Sequence, residues 1–211
     1  MKLRKALFVV LAVVLICAIS ITGTLAYLQA STQTAVVNTF VAAGGGSLFN
    51  TDETTGQPKG GVVLNESKAV LNTTTGIYTL DTTAKVYENS YTVLPGTVVP
   101  KDPAITVTEK NSVPAYLFVE VVDSTNGAIG WVIDDAWTAT NVTGPHGGKV
   151  YHLAAPITDD VAQPVLKNNQ VTVMDGELNL TGATITFYGY LAQSVVNGSD
   201  APADVFTACF K

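Results

Sequence analysis

Histidine, cysteine and charge are scarce in this chain, and each shortage narrows its chemistry. The 211 residues contain 2 His and 2 Cys. His146 and His152 lack a His-Glu-x-x-His pattern, whereas a zinc centre takes at least three ligands held at set angles. They read as a turn residue and a sheet-surface residue, with no metal and no cofactor expected. No serine sits in a Gly-x-Ser-x-Gly elbow, and Cys209 has no histidine near it in sequence, so no catalytic residue is expected either. Cys17 lies in an apolar run directly after Ile16, which is too bulky for the small residue that precedes a lipid-modified cysteine. Cys17 falls within the N-terminal leader removed on export, which leaves Cys209 without a partner in its own chain, a free thiol or an intermolecular disulfide, the free thiol being favoured. Charged residues make up 13% of the chain, against roughly 25% in ordinary soluble domains. Basic residues are the scarcer kind, 11 Lys and Arg against 17 Asp and Glu. A surface of that sign repels nucleic acid and anionic membrane. Helical periodicity is missing too: beyond residue 26, no segment repeats apolar residues at i, i+3, i+4 and i+7 over three turns.

What is present starts at the N-terminus. Lys2, Arg4 and Lys5 precede a 16-residue apolar run, 6–21, broken only by Ser20. Thr24 and Ala26 then place small residues at the third and first positions before a cleavage site. This is the layout of a secretory signal peptide, 1–26, cut between Ala26 and Tyr27. The run falls just under the usual length of a membrane span. The expected product is exported and keeps no stable membrane anchor. Removing the three basic residues of the leader leaves 8 basic against 17 acidic, a net charge of −9.

The mature part is long enough for one domain with its own core. The chain holds 28 Thr and 29 Val, β-branched residues suited to pleated surfaces. Segments 35–41, 77–80, 84–87, 91–94, 104–108, 116–122, 149–153 and 185–191 read as strands. Turns fall at Pro95-Gly96 and Gly144-Pro145, and Lys167-Asn168-Asn169 reads as a hairpin turn within 165–173. Residues 116–122 are apolar on both faces except at Glu120, which places them centrally in a sheet. Gly44-Gly45-Gly46 reads as a hinge, and 47–75 as loop with one or two short strands. Many short strands without a helical pattern predict an all-β fold of two sheets, a β-sandwich.

The string Gly23-Thr24-Leu25-Ala26-Tyr27-Leu28, followed by Asn38-Thr39-Phe40, resembles the start of secreted Gram-positive proteins cut by a SipW-type signal peptidase. These are the TasA/camelysin-type biofilm-matrix proteins. Two further blocks agree in order: Leu94-Pro95-Gly96 with Lys101-Asp102-Pro103 and Ala115-Tyr116-Leu117-Phe118-Val119-Glu120-Val121, then Thr184-Ile185-Thr186-Phe187-Tyr188-Gly189-Tyr190-Leu191-Ala192-Gln193. The resemblance covers most of the chain and leaves a Thr/Gly-rich insertion at about 44–90. It implies a jelly-roll-like sandwich over 44–211, an N-terminal segment 27–43 able to act as a donor strand, and a place in the extracellular matrix or on the cell surface. One departure stands out: Gln29-Ala30 occupy a place where the family often has an acidic residue.

Other motifs read as structure. Asp134-Asp135 and Asp159-Asp160 are solvated loop carboxylates, since neither pair continues as a calcium loop. Leu94-Pro95-Gly96-Thr97 is followed by Val98 rather than the Gly of a sortase signal, and is a turn. The five Asn-x-Ser/Thr sequons, at Asn65, Asn72, Asn141, Asn179 and Asn197, are expected by chance in a Thr-rich chain. Trp131, Trp137, Tyr116, Tyr188 and Tyr190 read as core and cross-strand residues rather than as a sugar-binding platform.

Taken together, these readings predict a secreted structural subunit of a biofilm-matrix fibre. Cleavage frees 27–41, whose Leu28, Val37 and Phe40 are the candidate donor-strand residues for an open sheet of the next subunit. Such head-to-tail contacts need not close, so they grow fibres. The expected partners are the signal peptidase, further copies of the chain, and a companion matrix or anchoring protein. An alternative is a monomeric adhesin or carbohydrate-binding module, which predicts an exposed aromatic cluster and an N-terminal strand paired within its own chain. A camelysin-like metallopeptidase, predicting stoichiometric zinc, comes third.

Overall fold

The Val- and Thr-rich stretches form twelve strands in the computed structural model, which describes residues 29–31, 62–107, 114–157, 162–175, 180 and 182–211. The first three are described as backbone only. One antiparallel sheet runs in the order β1 (Gln29–Ser31), β12 (Ile185–Gln193), β6 (Ala115–Asp123), β9 (Lys149–Leu153), β8 (Trp137–Thr143). A second runs β10 (Ala162–Pro164), β5 (Ala104–Val107), β2 (Val62–Asn72), β3 (Ile77–Val86). A third, smaller one joins β4 (Val98–Pro100), β11 (Gln170–Val173) and β7 (Ile129–Gly130). All pairings are antiparallel. The chain is all-β with a single α-helix among the described residues, α1 (Pro202–Phe210).

The three sheets share a core. Leu117, Val119 and Val121 of β6 and Phe187 and Leu191 of β12 are buried there with Val62 and Leu64 of β2, Ile105 and Val107 of β5, and Val171 and Val173 of β11. Each such side chain contributes about 1.5–3 kcal/mol when fully buried. Side chains alternate along a strand, so the intervening residues of β6 and β12 face the other way. There Phe118, Tyr190 and Ala192 meet Val205 and Phe206 of α1 in a second cluster. Covered on both faces, β6 and β12 are apolar throughout apart from a few polar side chains, as the pattern of 116–122 predicts.

The helix overturns the expectation that none follows the leader. It spans nine residues, too short for a three-turn repeat, yet Val205, Phe206, Cys209 and Phe210 recur at helical spacing on the face that packs on the sheet. Pro202 opens it and Asp204 lies in its first turn, both favourable at a helix N-terminus.

Three other readings need correction. Much of the expected loop at 47–75 is β2, an eleven-residue strand, and 77–86 forms one ten-residue partner, β3, rather than two short strands. The outer half of β2 is largely exposed and carries no apolar alternation to read, whereas β3 keeps a half-buried face through Tyr78 and Leu80. The turn between them is set by Asn72, whose Oδ1 accepts from the N–H groups of Thr74 and Thr75 at 3.0 and 3.2 Å, and by Gly76 at φ 71°. Residues 91–94 are not a strand; the N–H of Thr92 donates to the Tyr78 hydroxyl at 2.7 Å instead. Lys167–Asn169 is a 3-10 turn joining strands of two different sheets rather than a hairpin. Asn168 and Asn169 take φ of 58° and 51° there, a left-handed conformation that Asn tolerates.

Candidate functional site

The candidate donor segment is described only at Gln29–Ser31; Ala26, Tyr27, Leu28, Val37 and Phe40 lie outside the described residues. Gln29, Ala30 and Ser31 pair antiparallel with Ala192, Leu191 and Tyr190 at the margin of the five-stranded sheet. The described ladder thus engages three of the nine residues of β12. A main-chain hydrogen bond contributes only about 0.5–1.5 kcal/mol net, so so short a ladder is weak by itself. It runs within one chain.

A second cluster was not anticipated from the sequence. The Glu120 carboxylate is fully buried on the helix-side face of β6. Its Oε1 accepts from the N–H groups of His146 at 3.0 Å and Gly148 at 2.8 Å. Its Oε2 accepts from the Tyr190 hydroxyl at 2.6 Å and lies 3.0 Å from His146 Nδ1. The β8–β9 turn, 144–148, closes over the carboxylate with its amides turned inward, a cradle for negative charge. Glycine is needed at both ends. A Cβ on Gly144 collides with the Glu120 carboxyl group, and one on Gly148 comes within 2.7 Å of Glu120 Cγ. His146 stacks on Tyr188 with ring centroids 3.6 Å apart and planes 4° apart. His146 is the exposed turn residue that its sequence context predicts, and it lies over a buried acid. A single acidic residue inside an apolar strand and a Gly-rich turn were the only sequence signals for this arrangement.

A third feature lies between the sheets. Lys101 Nζ meets Glu66 Oε2 at 2.8 Å, with the two side chains 5% and 1% exposed. The other oxygen, Glu66 Oε1, has no hydrogen-bond partner among the described residues. The ammonium also stands 5.9 and 5.7 Å from the ring centres of Tyr91 and Phe187, within cation–π range. Lys101 and Tyr91 line one side of a cavity of about 280 Å³ whose apolar wall includes Val99, Ile129, Val171, Val173 and Ile185.

The half-buried Tyr91 and the buried Tyr190 give the fold a pH signature. Burial, then the Glu66 and Asp102 charges, push the Tyr91 hydroxyl far above its usual value. Burial, then the bond to Glu120, do the same to Tyr190. An unfolded tyrosine ionises near pH ~10, while these two hold their protons in the folded state. Their contribution to stability is therefore whole below that pH and is lost as the pH rises above it. Of the 8 tyrosines, Tyr91 and Tyr190 are expected to give no tyrosinate absorbance until the fold is lost, in one cooperative step. Gradual titration of all eight with the far-ultraviolet circular dichroism unchanged would contradict this.

No known protein family, curated protein or solved structure matches this chain.

The remaining candidate residues are dispersed. Trp137 and Tyr190 are buried. Trp131 Nε1–H donates to Asp123 at 2.8 Å, Trp137 Nε1–H donates to the Pro164 carbonyl at 2.7 Å, and Tyr116 packs edge-on to His152. Trp131 and Trp137 join the shared core, and Tyr116, Tyr188 and Tyr190 join the cluster beneath α1, so the five divide between two packed clusters. Asp135 pairs with Lys167 at 2.8 Å on the surface, and Asp159-Asp160 lie outside the described residues. Cys209 is half-buried on α1. Among the described residues, no three His, Cys, Asp or Glu side chains are grouped to hold a metal ion. None of their helices is long and apolar enough to cross a membrane.

Proposed function

We propose that this protein is a secreted structural subunit of an extracellular fibre, assembled by strand addition. The observation that carries the reading is the pairing of Gln29–Ser31 with the margin of the five-stranded sheet. These residues begin three positions after the expected cleavage point at Ala26. Identical hydrogen bonds form when the strand comes from another copy, so exchange between subunits loses no contact and gains a growing, heterologous interface. An uncleaved leader holds the segment at the membrane, which orders export before assembly. In this reading the three sheets belong to a sandwich of the jelly-roll kind. The resemblance to TasA/camelysin-type proteins supplies the setting: a SipW-type signal peptidase, a Gram-positive biofilm matrix, and a companion matrix or anchoring protein. The chain acts as material rather than as an enzyme.

The pairing of β1 within its own chain favours a second reading, a monomeric surface adhesin or carbohydrate-binding module. The division of the five aromatic residues between two packed clusters weighs against its carbohydrate-binding form.

Negative-stain electron microscopy of 27–211 beside 44–211 separates the two. Filaments from the first chain and none from the second are the expected outcome. Dispersed monomers from both, at acidic and neutral pH and at high concentration, would remove strand addition and leave the monomeric module.

A further inference from the structure

Two adjacent pairs of residues clamp β2 to the segment between β4 and β5. Glu66 and Ser67 lie on β2, and Lys101 and Asp102 follow directly on β4. The Asp102 carboxylate accepts from Ser67 at both oxygens, from its backbone N–H at 2.8 Å and from its hydroxyl at 2.7 Å. The Lys101 N–H donates to the Asn169 carbonyl at 2.8 Å. Beside this clamp, Lys101 Nζ lies 2.8 Å from Glu66 Oε2, and the carboxyl carbon is one bond further on. An amine and a carboxyl group are thus held together by a frame that does not depend on their own attraction.

Reacting groups fixed in this way reach effective concentrations of about 10⁵–10⁸ M. Bulk water, which drives an amide back to acid and amine, is kept away from two side chains that are 5% and 1% exposed. Charge acts in the same direction. Glu66 Oε1 has no hydrogen-bond partner among the described residues, and a buried ion with an unsatisfied oxygen is costlier than a neutral amide in the same place. The cavity of about 280 Å³ that Lys101 lines has room for a released water.

We propose that Lys101 and Glu66 condense to an intramolecular amide after folding. The ammonium passes a proton to Oε2 along their hydrogen bond, which leaves a neutral amine and a carboxylic acid. The Nζ–Cδ bond then forms, the Cδ–Oε2 bond breaks, and a second Nζ proton joins the departing hydroxyl as water. No oxidant or co-reactant is needed. Newly folded protein holds the ion pair, and the amide replaces it with time. The bond ties β2 of the four-stranded sheet to the end of β4 of the three-stranded sheet and joins residues 35 apart in sequence. It keeps a chain under tension from unravelling between those two positions. It is a property of the single folded chain, and filament formation has no bearing on it.

Intact-mass spectrometry of the chain from Tyr27, sampled over days in the folded state, tests the bond. Most molecules are expected to become lighter by one water, whereas chain kept unfolded in guanidinium chloride keeps its full mass. After trypsin, peptide 60–68 with Glu66 should stay joined to peptide 86–110, in which Lys101 is left uncut. Lys101→Arg and Glu66→Ala should each retain the full mass. Folded unsubstituted protein at full mass throughout would overturn the proposal, as would a water loss that maps to other residues. Loss of ammonia in place of water would point to a side-chain amide such as that of Asn89, which lines the same cavity, and would overturn the assignment to Glu66. The deciding spectra come from the unsubstituted chain, so the result stands even where a variant fails to fold.

Discussion

Replacing Lys101 with Met is expected to destabilise the fold by about 3–5 kcal/mol, the usual cost of removing one member of a buried ion pair. The change strands Glu66, 1% exposed and with one oxygen already lacking a partner among the described residues. Methionine roughly conserves the length of the lysine stem, so little of the loss comes from packing. For a domain of this size the shift in melting temperature is on the order of 10 °C. The double variant Lys101→Met/Glu66→Leu is expected to recover most of the loss, because two apolar side chains remove the desolvation penalty together with the attraction. Urea denaturation of the two variants checks both halves. A double variant as unstable as the single one would mean that the pair contributes something beyond its own charge balance.

The second large effect is expected at Glu120. Glu120→Ala leaves the Tyr190 hydroxyl and the amides of His146 and Gly148 without their acceptor and opens a void under the β8–β9 turn. A loss of about 3–5 kcal/mol follows from the same principle of uncompensated buried groups. His146→Ala should cost far less, on the order of 1 kcal/mol, because its ring is 37% exposed and the backbone donors stay in place. Gly144→Ala should approach the glutamate variant, since its methyl group meets the carboxylate. If His146→Ala matched Glu120→Ala in thermal melts, the imidazole rather than the amide cradle would be holding the turn. That ranking would contradict the account given for this cluster.

The parts of the fold that sequence made legible are those with two-sided or alternating burial. Residues 116–122 announce themselves as a central strand, and 185–191 as a strand, because the shared core lies on one side and α1 on the other. Strand β2 was hidden because its outer half buries little and carries no pattern, while its partner β3 showed only as the two short segments 77–80 and 84–87. Helix α1 was hidden by its length: its four apolar residues cover barely more than one turn. The polar clusters were partly visible. Glu120 stood out as a charge within an apolar strand, but its partners come from a turn and a strand far away in sequence, and only the folded chain joins them. Lys101 and Glu66 are 35 residues apart, with nothing local to link them. For the donor segment, the sequence supplied the cleavage site at Ala26 and the strand reading of 35–41, while the register of Gln29–Ser31 on β12 came from the structure.

Strand addition is tested most directly by a covalent trap at the one junction the fold displays. Gln29→Cys and Ala192→Cys, placed in the chain from Tyr27 with Cys209→Ser, put two thiols opposite one another in the β1–β12 ladder. After assembly and mild oxidation, non-reducing electrophoresis should show a ladder of dimers, trimers and longer species that collapses to monomer on reduction. A single oxidised monomer band, in protein assembled at high concentration, would show that β1 stays on its own sheet, and would contradict the fibre.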